Sequence, residues 1–124
     1  MRTLLLDVYN EEFKELDIQD DLDIYYRLLD CSTIDIVVRK IGDRIFDIVC
    51  DDEGLFHSPQ KISAIDSAGN PVLVGNLLFL HHNDLGEMTE LSEDDVKHLI
   101  SNIHFVFTNN YPDGYLAVYN VGWR

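Results

Sequence analysis

Leu4, Leu6 and Val8 alternate with Thr3, Leu5 and Asp7, and Leu16 and Ile18 alternate with Glu15 and Asp17. A period of two marks a half-buried strand, so the pattern predicts a β-hairpin from residues 2 to 9 and 12 to 18. Asn10-Glu11 supplies its tight turn, without the glycine that hairpin turns favour. The period then lengthens. Leu22, Tyr25, Tyr26 and Leu29 recur at spacings of three and four, which predicts a short helix capped by Asp20 or Asp21 and ending near Asp30. The acids at its start suit the positive end of the helix dipole.

Two β-branched runs, Thr33 to Arg39 and Arg44 to Cys50, flank the turn-forming pair Gly42-Asp43 and predict a second hairpin. After Asp51-Asp52-Glu53-Gly54 the chain reads as a loop through Pro59, a short strand from Ile62 to Asp66, and a turn over Ser67 to Pro71. Val72 to Leu80 is apolar on both faces, which predicts one strand lying centrally in the sheet with both sides covered. Pro71 fits as its first residue, where a missing N–H is tolerated. His81 to Gly86 reads as a polar connection. Ser92 as N-cap with Asp95 as the capping-box acid opens a second helix, and Val96, Leu99, Ile100, Ile103, Val106 and Phe107 carry its stripe to about residue 108. Asn109 to Gly114 ends that helix, and Tyr115 to Val121 reads as an edge strand.

These elements predict an α+β fold. Its mostly antiparallel mixed sheet is built from two hairpins and a central strand, with a short helix between the hairpins and a C-terminal helix covering one face. At 124 residues and 46% hydrophobic, the chain is sized for one domain, residues 1–124, with a packed core. The N-terminal apolar run stops after three leucines and no stretch is long enough to span a bilayer, so neither a leader nor a membrane anchor is expected. Cys31 and Cys50 are too few and too dispersed for a disulfide or zinc scaffold, which suits a reducing cytoplasm.

Charge changes the picture most. The formal net charge is −14, a field that repels phosphate backbones and anionic membranes and attracts basic proteins or cations. The carboxylates fall into clusters. The first is Asp7, Glu11, Glu12, Glu15, Asp17, Asp20, Asp21 and Asp23, against Lys14 alone. The second runs from Asp43 to Glu53, with Arg44. The third is Asp84, Glu87, Glu90, Glu93, Asp94 and Asp95, with no basic residue. If the first and third were neighbours in the fold, they would present a carboxylate surface able to imitate a phosphate path. The bland alternative is that these are simply wet positions, where charge serves solubility.

Other chemistry is thin. Asp51-Asp52-Glu53-Gly54 has the look of a calcium loop, but Gln60 stands where an EF-hand needs its Glu, and a turn using Gly54 explains the same residues. His81 and His82 are adjacent on a strand and point to opposite faces, while His98 and His104 are expected on different faces of the second helix. No metal site or cofactor is predicted from them or from His57. The glycine-rich and nucleophile-elbow signatures of common enzymes are missing, and neither cysteine has a basic neighbour to lower its pKa, so an enzyme is not expected. Asn76 is the one polar residue on an apolar strand, either a structural amide or, with Asp51 and Asp52, part of a small ligand pocket. Tyr111, Tyr115, Tyr119 and Trp123 make an aromatic tail that suits docking on the core or an interface.

The runs Leu28-Leu29-Asp30-Cys31-Ser32-Thr33-Ile34-Asp35-Ile36-Val37, Asp51-Asp52-Glu53-Gly54-Leu55-Phe56 and Val74-Gly75-Asn76-Leu77-Leu78-Phe79 resemble the family known as domain of unknown function 3846. The resemblance covers residues 1 to about 82 and leaves the helix and tail over 92–124 less family-like. It implies a setting, a phage or mobile-element accessory protein in the cytoplasm of gut Firmicutes, and carries over no catalytic residues. The expectation is a non-enzymatic binding protein whose acidic surface captures a basic, nucleic-acid-binding host protein, in the manner of a DNA mimic or anti-defence inhibitor. A small-ligand-binding domain and a metal-dependent hydrolase are the competing classes. Oligomeric state is not legible.

Overall fold

The structure, a computed structural model, describes residues 1–53, 62–65, 71–107, 116–119 and 121–123. In chain order the elements are β1 (Arg2–Asp7), β2 (Glu12–Asp17), α1 (Leu22–Leu29), β3 (Ile34–Ile41), β4 (Arg44–Asp51), β5 (Ile62–Ile65), β6 (Pro71–Val74), β7 (Leu77–His82), β8 (Met88–Thr89), α2 (Glu93–Asn102), β9 (His104–Phe107), β10 (Leu116–Tyr119) and β11 (Val121–Trp123). The fold is α+β. Its main sheet runs β11-β3-β4-β7-β1-β2 with β8 added to β7, and β5-β6 and β9-β10 form two small sheets. Every ladder among the described strands is antiparallel.

Both predicted hairpins are present, as β1-β2 and β3-β4. Their turns have different chemistry. Glu11 takes a left-handed φ of 57° in the first, a position glycine would occupy without strain. Gly42 takes φ +63° in the second, where a Cβ would sit 2.9 Å from both Asn102 Oδ1 and the His98 ring, so this turn needs glycine for space as well as for backbone. Asp21 caps α1 by accepting from the Asp23 N–H, and Asp30 closes it in the left-handed conformation. The Ser92–Asp95 capping box of α2 is complete, with each side chain accepting the other residue's N–H.

Four expectations need correction. Val72 to Leu80 is not one strand: Gly75, at φ +80°, turns the chain between β6 and β7, so β6 pairs with β5 while β7 joins the main sheet. The stripe from Val96 does not run as helix to residue 108, because Ile103 is already extended and residues 104–107 form β9. Ile103 and Phe107, four apart, fit a period of two as well as a helical one, and pairing with β10 decides between them. The predicted strand from Tyr115 to Val121 is likewise two, β10 on β9 and β11 on β3. His81 and His82, expected in a connection, end β7 and pair with β8. The turns placed at Ser67 to Asn70 and Asn109 to Gly114, and the residues Gly54, His57, Pro59, Gln60, Tyr111 and Tyr115, lie outside the described residues.

The sheet is covered on both sides, and β7 runs between them with Leu77, Leu78, Phe79 and Leu80 all fully buried. On one face Leu4, Leu6, Phe46, Ile48, Leu77 and Phe79 pack against Val96 and Leu99 of α2 and against Ala64 and Leu73 of the β5-β6 ribbon. On the other, Leu5, Val49, Leu78 and Leu80 pack against Tyr25 and Leu29 of α1. Two buried hydroxyls are paired: that of Thr3 donates to the Phe79 carbonyl across 2.8 Å, and that of Ser63 donates to the Gly75 carbonyl.

Candidate functional site

The first and third acidic clusters meet at Arg2. In the β1-β2 register Arg2 faces Asp17, and Leu4 faces Glu15. This puts Glu15 and Asp17 on the same face as Arg2. Arg2 Nε lies 3.0 Å from Glu15 Oε1, while the Arg2 backbone N–H donates to Glu90 Oε1 across 3.0 Å. Arg2, Glu15, Leu16, Asp17 and Glu90 line a concavity of about 290 Å³. Leu91 then donates its N–H to the Arg2 carbonyl, so the chain enters α2, with Glu93 and Asp94 exposed in its first turn, beside this edge of the sheet. Glu12, Glu15 and Asp17 project from β2, the last strand in the sheet order, and are exposed. Arg2 is the link that sequence patterning missed, since its significance depends on which strands pair.

Not every predicted acid is available as surface charge. Asp20 accepts a 2.6 Å hydrogen bond from the Tyr25 hydroxyl, and Asp21 is the α1 cap. Asp95 accepts from the Ser92 N–H at 2.9 Å, pairs with Arg44 at 3.2 Å, and lies 3.0 Å from His81 Nε2. Burial pushes its pKa up, but the Ser92 and His81 hydrogen bonds outweigh that and hold it below the ordinary 3.8. Glu87 is tied to Asn83 in the β7-β8 turn. Glu11, Asp23 and Asp84 are exposed, Glu11 in the first hairpin turn, Asp23 in the first turn of α1 and Asp84 beyond the end of β7.

The histidines separate as strand geometry demands. His81 meets Asp95 on the α2 face, and its ring stacks on Phe46 at 5.2 Å between centroids. His82 meets Asp47 at 2.7 Å on the opposite face. His98 Nε2 lies 2.6 Å from the Ile41 carbonyl, and His104 sits on β9 rather than on the helix. Among the described residues no three His, Cys, Asp or Glu side chains come together as a metal would require.

Asp51 and Asp52 line a second concavity, about 240 Å³, together with Asp35, Val37, Arg39, Cys50 and Val72 to Val74. Asn76 does not reach it: its Oδ1 accepts the Val8 N–H at 3.1 Å and ties the first hairpin to the β6-β7 break. Asp35, Val37 and Arg39 share one strand face, a period-two signal legible in the sequence once β3 is drawn. Burial foremost raises the Cys50 thiol to about 12 and that of Cys31 to about 11, so neither is a thiolate near neutral pH.

Comparison with known families matches residues 1–104 to the model described as Domain of unknown function (DUF3846). The match therefore extends past residue 82 and through α2. No curated protein and no solved structure matches the chain. Among the described residues, no helix is long and apolar enough to cross a membrane.

Proposed function

The chain belongs to the domain of unknown function 3846 family, and since that membership assigns no chemistry, we propose a function from the surface: a non-enzymatic binding protein that captures a basic protein. The single observation that carries this reading is the junction at Arg2, whose guanidinium meets Glu15 of β2 while its backbone N–H donates to Glu90 before α2. Carboxylates distant in sequence thereby belong to one face. A patch of that sign on a chain of net charge −14 steers a basic partner and releases the counterions held on both surfaces. The partner class is a cationic, nucleic-acid-binding protein of a bacterial host, and the setting is a phage or mobile-element accessory factor in the cytoplasm. A phosphate backbone is itself repelled by the same field.

The test is capture from bacterial lysate at low salt with elution along a salt gradient. A discrete basic protein leaving at moderate salt supports the reading; a diffuse smear means the charge serves solubility. Asp20, Asp21 and Asp95 are unsuitable substitution sites, because Asp20 holds the buried Tyr25 and removing the helix caps at the other two costs about 1 kcal/mol each, which would confuse folding with binding. Glu15, Asp17, Glu93 and Asp94 are suitable.

A second reading has its own observation. Arg39 and the carboxylates of Asp35, Asp51 and Asp52 border the 240 Å³ concavity beside an apolar wall of Val37 and Val72 to Val74. A small molecule carrying an amine next to an apolar group would fit such a lining. Thermal-shift screening against cationic metabolites tests it, and a midpoint unmoved by any of them counts against it.

A further inference from the structure

We propose that the basic partner docks as an added β-strand on the outer edge of β2, through an extended segment that alternates basic and apolar residues. This rests on the acidic-surface reading and specifies its geometry. Met1 and Ile18 exchange two backbone bonds, Ile18 N–H to Met1 O at 2.8 Å and Met1 N to Ile18 O at 2.6 Å. In an antiparallel ladder such bonded pairs alternate with unbonded ones. The β1-β2 register therefore makes Leu16, Lys14 and Glu12 the residues bonded to β1, and turns the N–H and C=O of Asp17, Glu15 and Phe13 outward. Among the described residues no strand lies beyond β2 and no hydrogen bond engages those outward groups. An edge of this kind is a template for another chain.

The two faces of that edge differ, and they select the occupant. Residues of an added strand that pair with Glu15 and Asp17 place their side chains on the face of those carboxylates, next to the concavity shared with Glu90. Its three carboxylates outnumber the two cations that meet them, Arg2 and the Met1 ammonium 2.8 Å from Asp17 Oδ1, and leave it net negative. Intervening residues fall on the other face, where Leu16, Ile18, Ile24 and Leu28 border a concavity of about 450 Å³ between β2 and α1. Arg27 borders this second concavity and disfavours another cation there. The complement is a strand with Lys or Arg at every second position and apolar residues between. A second copy of this chain does not fit, because β2 would bring its own acids against Glu12, Glu15 and Asp17.

The test uses a labelled, end-capped peptide of alternating lysine and valine, and an isomer with the same lysines in one block. Anisotropy at low salt should show the alternating peptide binding roughly tenfold tighter or better than the block isomer. Glu15→Gln should weaken it a few-fold by charge. Glu15→Pro removes the same charge and one outward N–H, at an edge where proline is tolerated, and should weaken it by roughly a further tenfold. Should that variant fail to fold, amide exchange in the wild type decides: the peptide should slow Phe13, Glu15 and Asp17 and leave Lys14 and Leu16 unchanged. Equal binding of both isomers, equal affinity of the two Glu15 variants, no slowing of those amides, or no binding of the alternating peptide overturns strand addition. Lysate capture that persists in that case, and is lost with the acids, leaves the acidic-surface reading standing alone.

Discussion

The guanidinium of Arg2 lies 3.0 Å from the carboxylate of Glu15, diagonally across the β1-β2 ladder. Both side chains are partly exposed, 34% and 52%, so the pair contributes no more than about 1 kcal/mol. Its larger effect is on repulsion, since Glu90 is held close by, on the Arg2 backbone N–H. Arg2→Gln should lower stability by about that amount in urea titrations at low salt, and by clearly less once salt screens the carboxylates. An equal loss at both ionic strengths would mean that Arg2 acts through packing instead.

Gly42 holds the β3-β4 turn against α2. Gly42→Ala forces a Cβ to within 2.9 Å of Asn102 and His98 at a φ of +63°. Strain and displacement of the His98–Ile41 hydrogen bond together should cost roughly 1–3 kcal/mol. Denaturant midpoints measure this directly, and a change within a few tenths of a kcal/mol would show that the turn relaxes freely.

Glu11 presents the reverse case. It sits at φ 57° in an exposed turn, and Glu11→Gly relieves that strain at the expense of a more flexible unfolded chain. The balance should favour the variant by roughly 0.5 kcal/mol. A lower thermal midpoint for the glycine variant would contradict the backbone account of the first hairpin.

Acid should weaken the fold through Asp95 and Asp7. Burial raises both pKa values, but hydrogen bonds, from Ser92 and His81 to Asp95 and from Asn10 and Tyr9 to Asp7, leave each below the ordinary 3.8. A folded pKa below the unfolded one gives stability that is present above 3.8 and is lost as pH falls through the lowered value. Urea midpoints should therefore drop on going from roughly pH 6 to pH 3. Asp95→Asn should start lower and drop less. Parallel pH curves for the two proteins would remove Asp95 from the account.

Much of this fold could be read from local pattern. The capping pairs at Asp21 and Ser92 and the runs around Gly42 carry their own geometry within a few residues, and each of them formed as read. What local pattern could not carry is competition between partners. Gly75 breaks an apolar run because β6 finds β5 while β7 finds β1 and β4. Ile103 leaves the helix because residues 104–107 pair with β10. The candidate surface shows the same division. Its acids are visible as clusters in the sequence, but their meeting at Arg2, and the commitment of Asp95 to His81 and Arg44, follow from long-range contacts.

The central claim is that one face, rather than bulk charge, captures a basic protein. Two variants of equal net charge separate these. One replaces Glu15, Asp17, Glu90, Glu93 and Asp94 by Gln or Asn. The other does the same at Asp23, Asp30, Asp43, Asp52 and Glu53, which are exposed elsewhere. Both are compared with the wild type in salt-gradient elution of lysate proteins. The account predicts that the first loses the captured protein, or releases it at much lower salt, while the second elutes it at nearly the wild-type position. Equal loss in both would show that net charge alone holds the partner, and the proposed surface would be wrong.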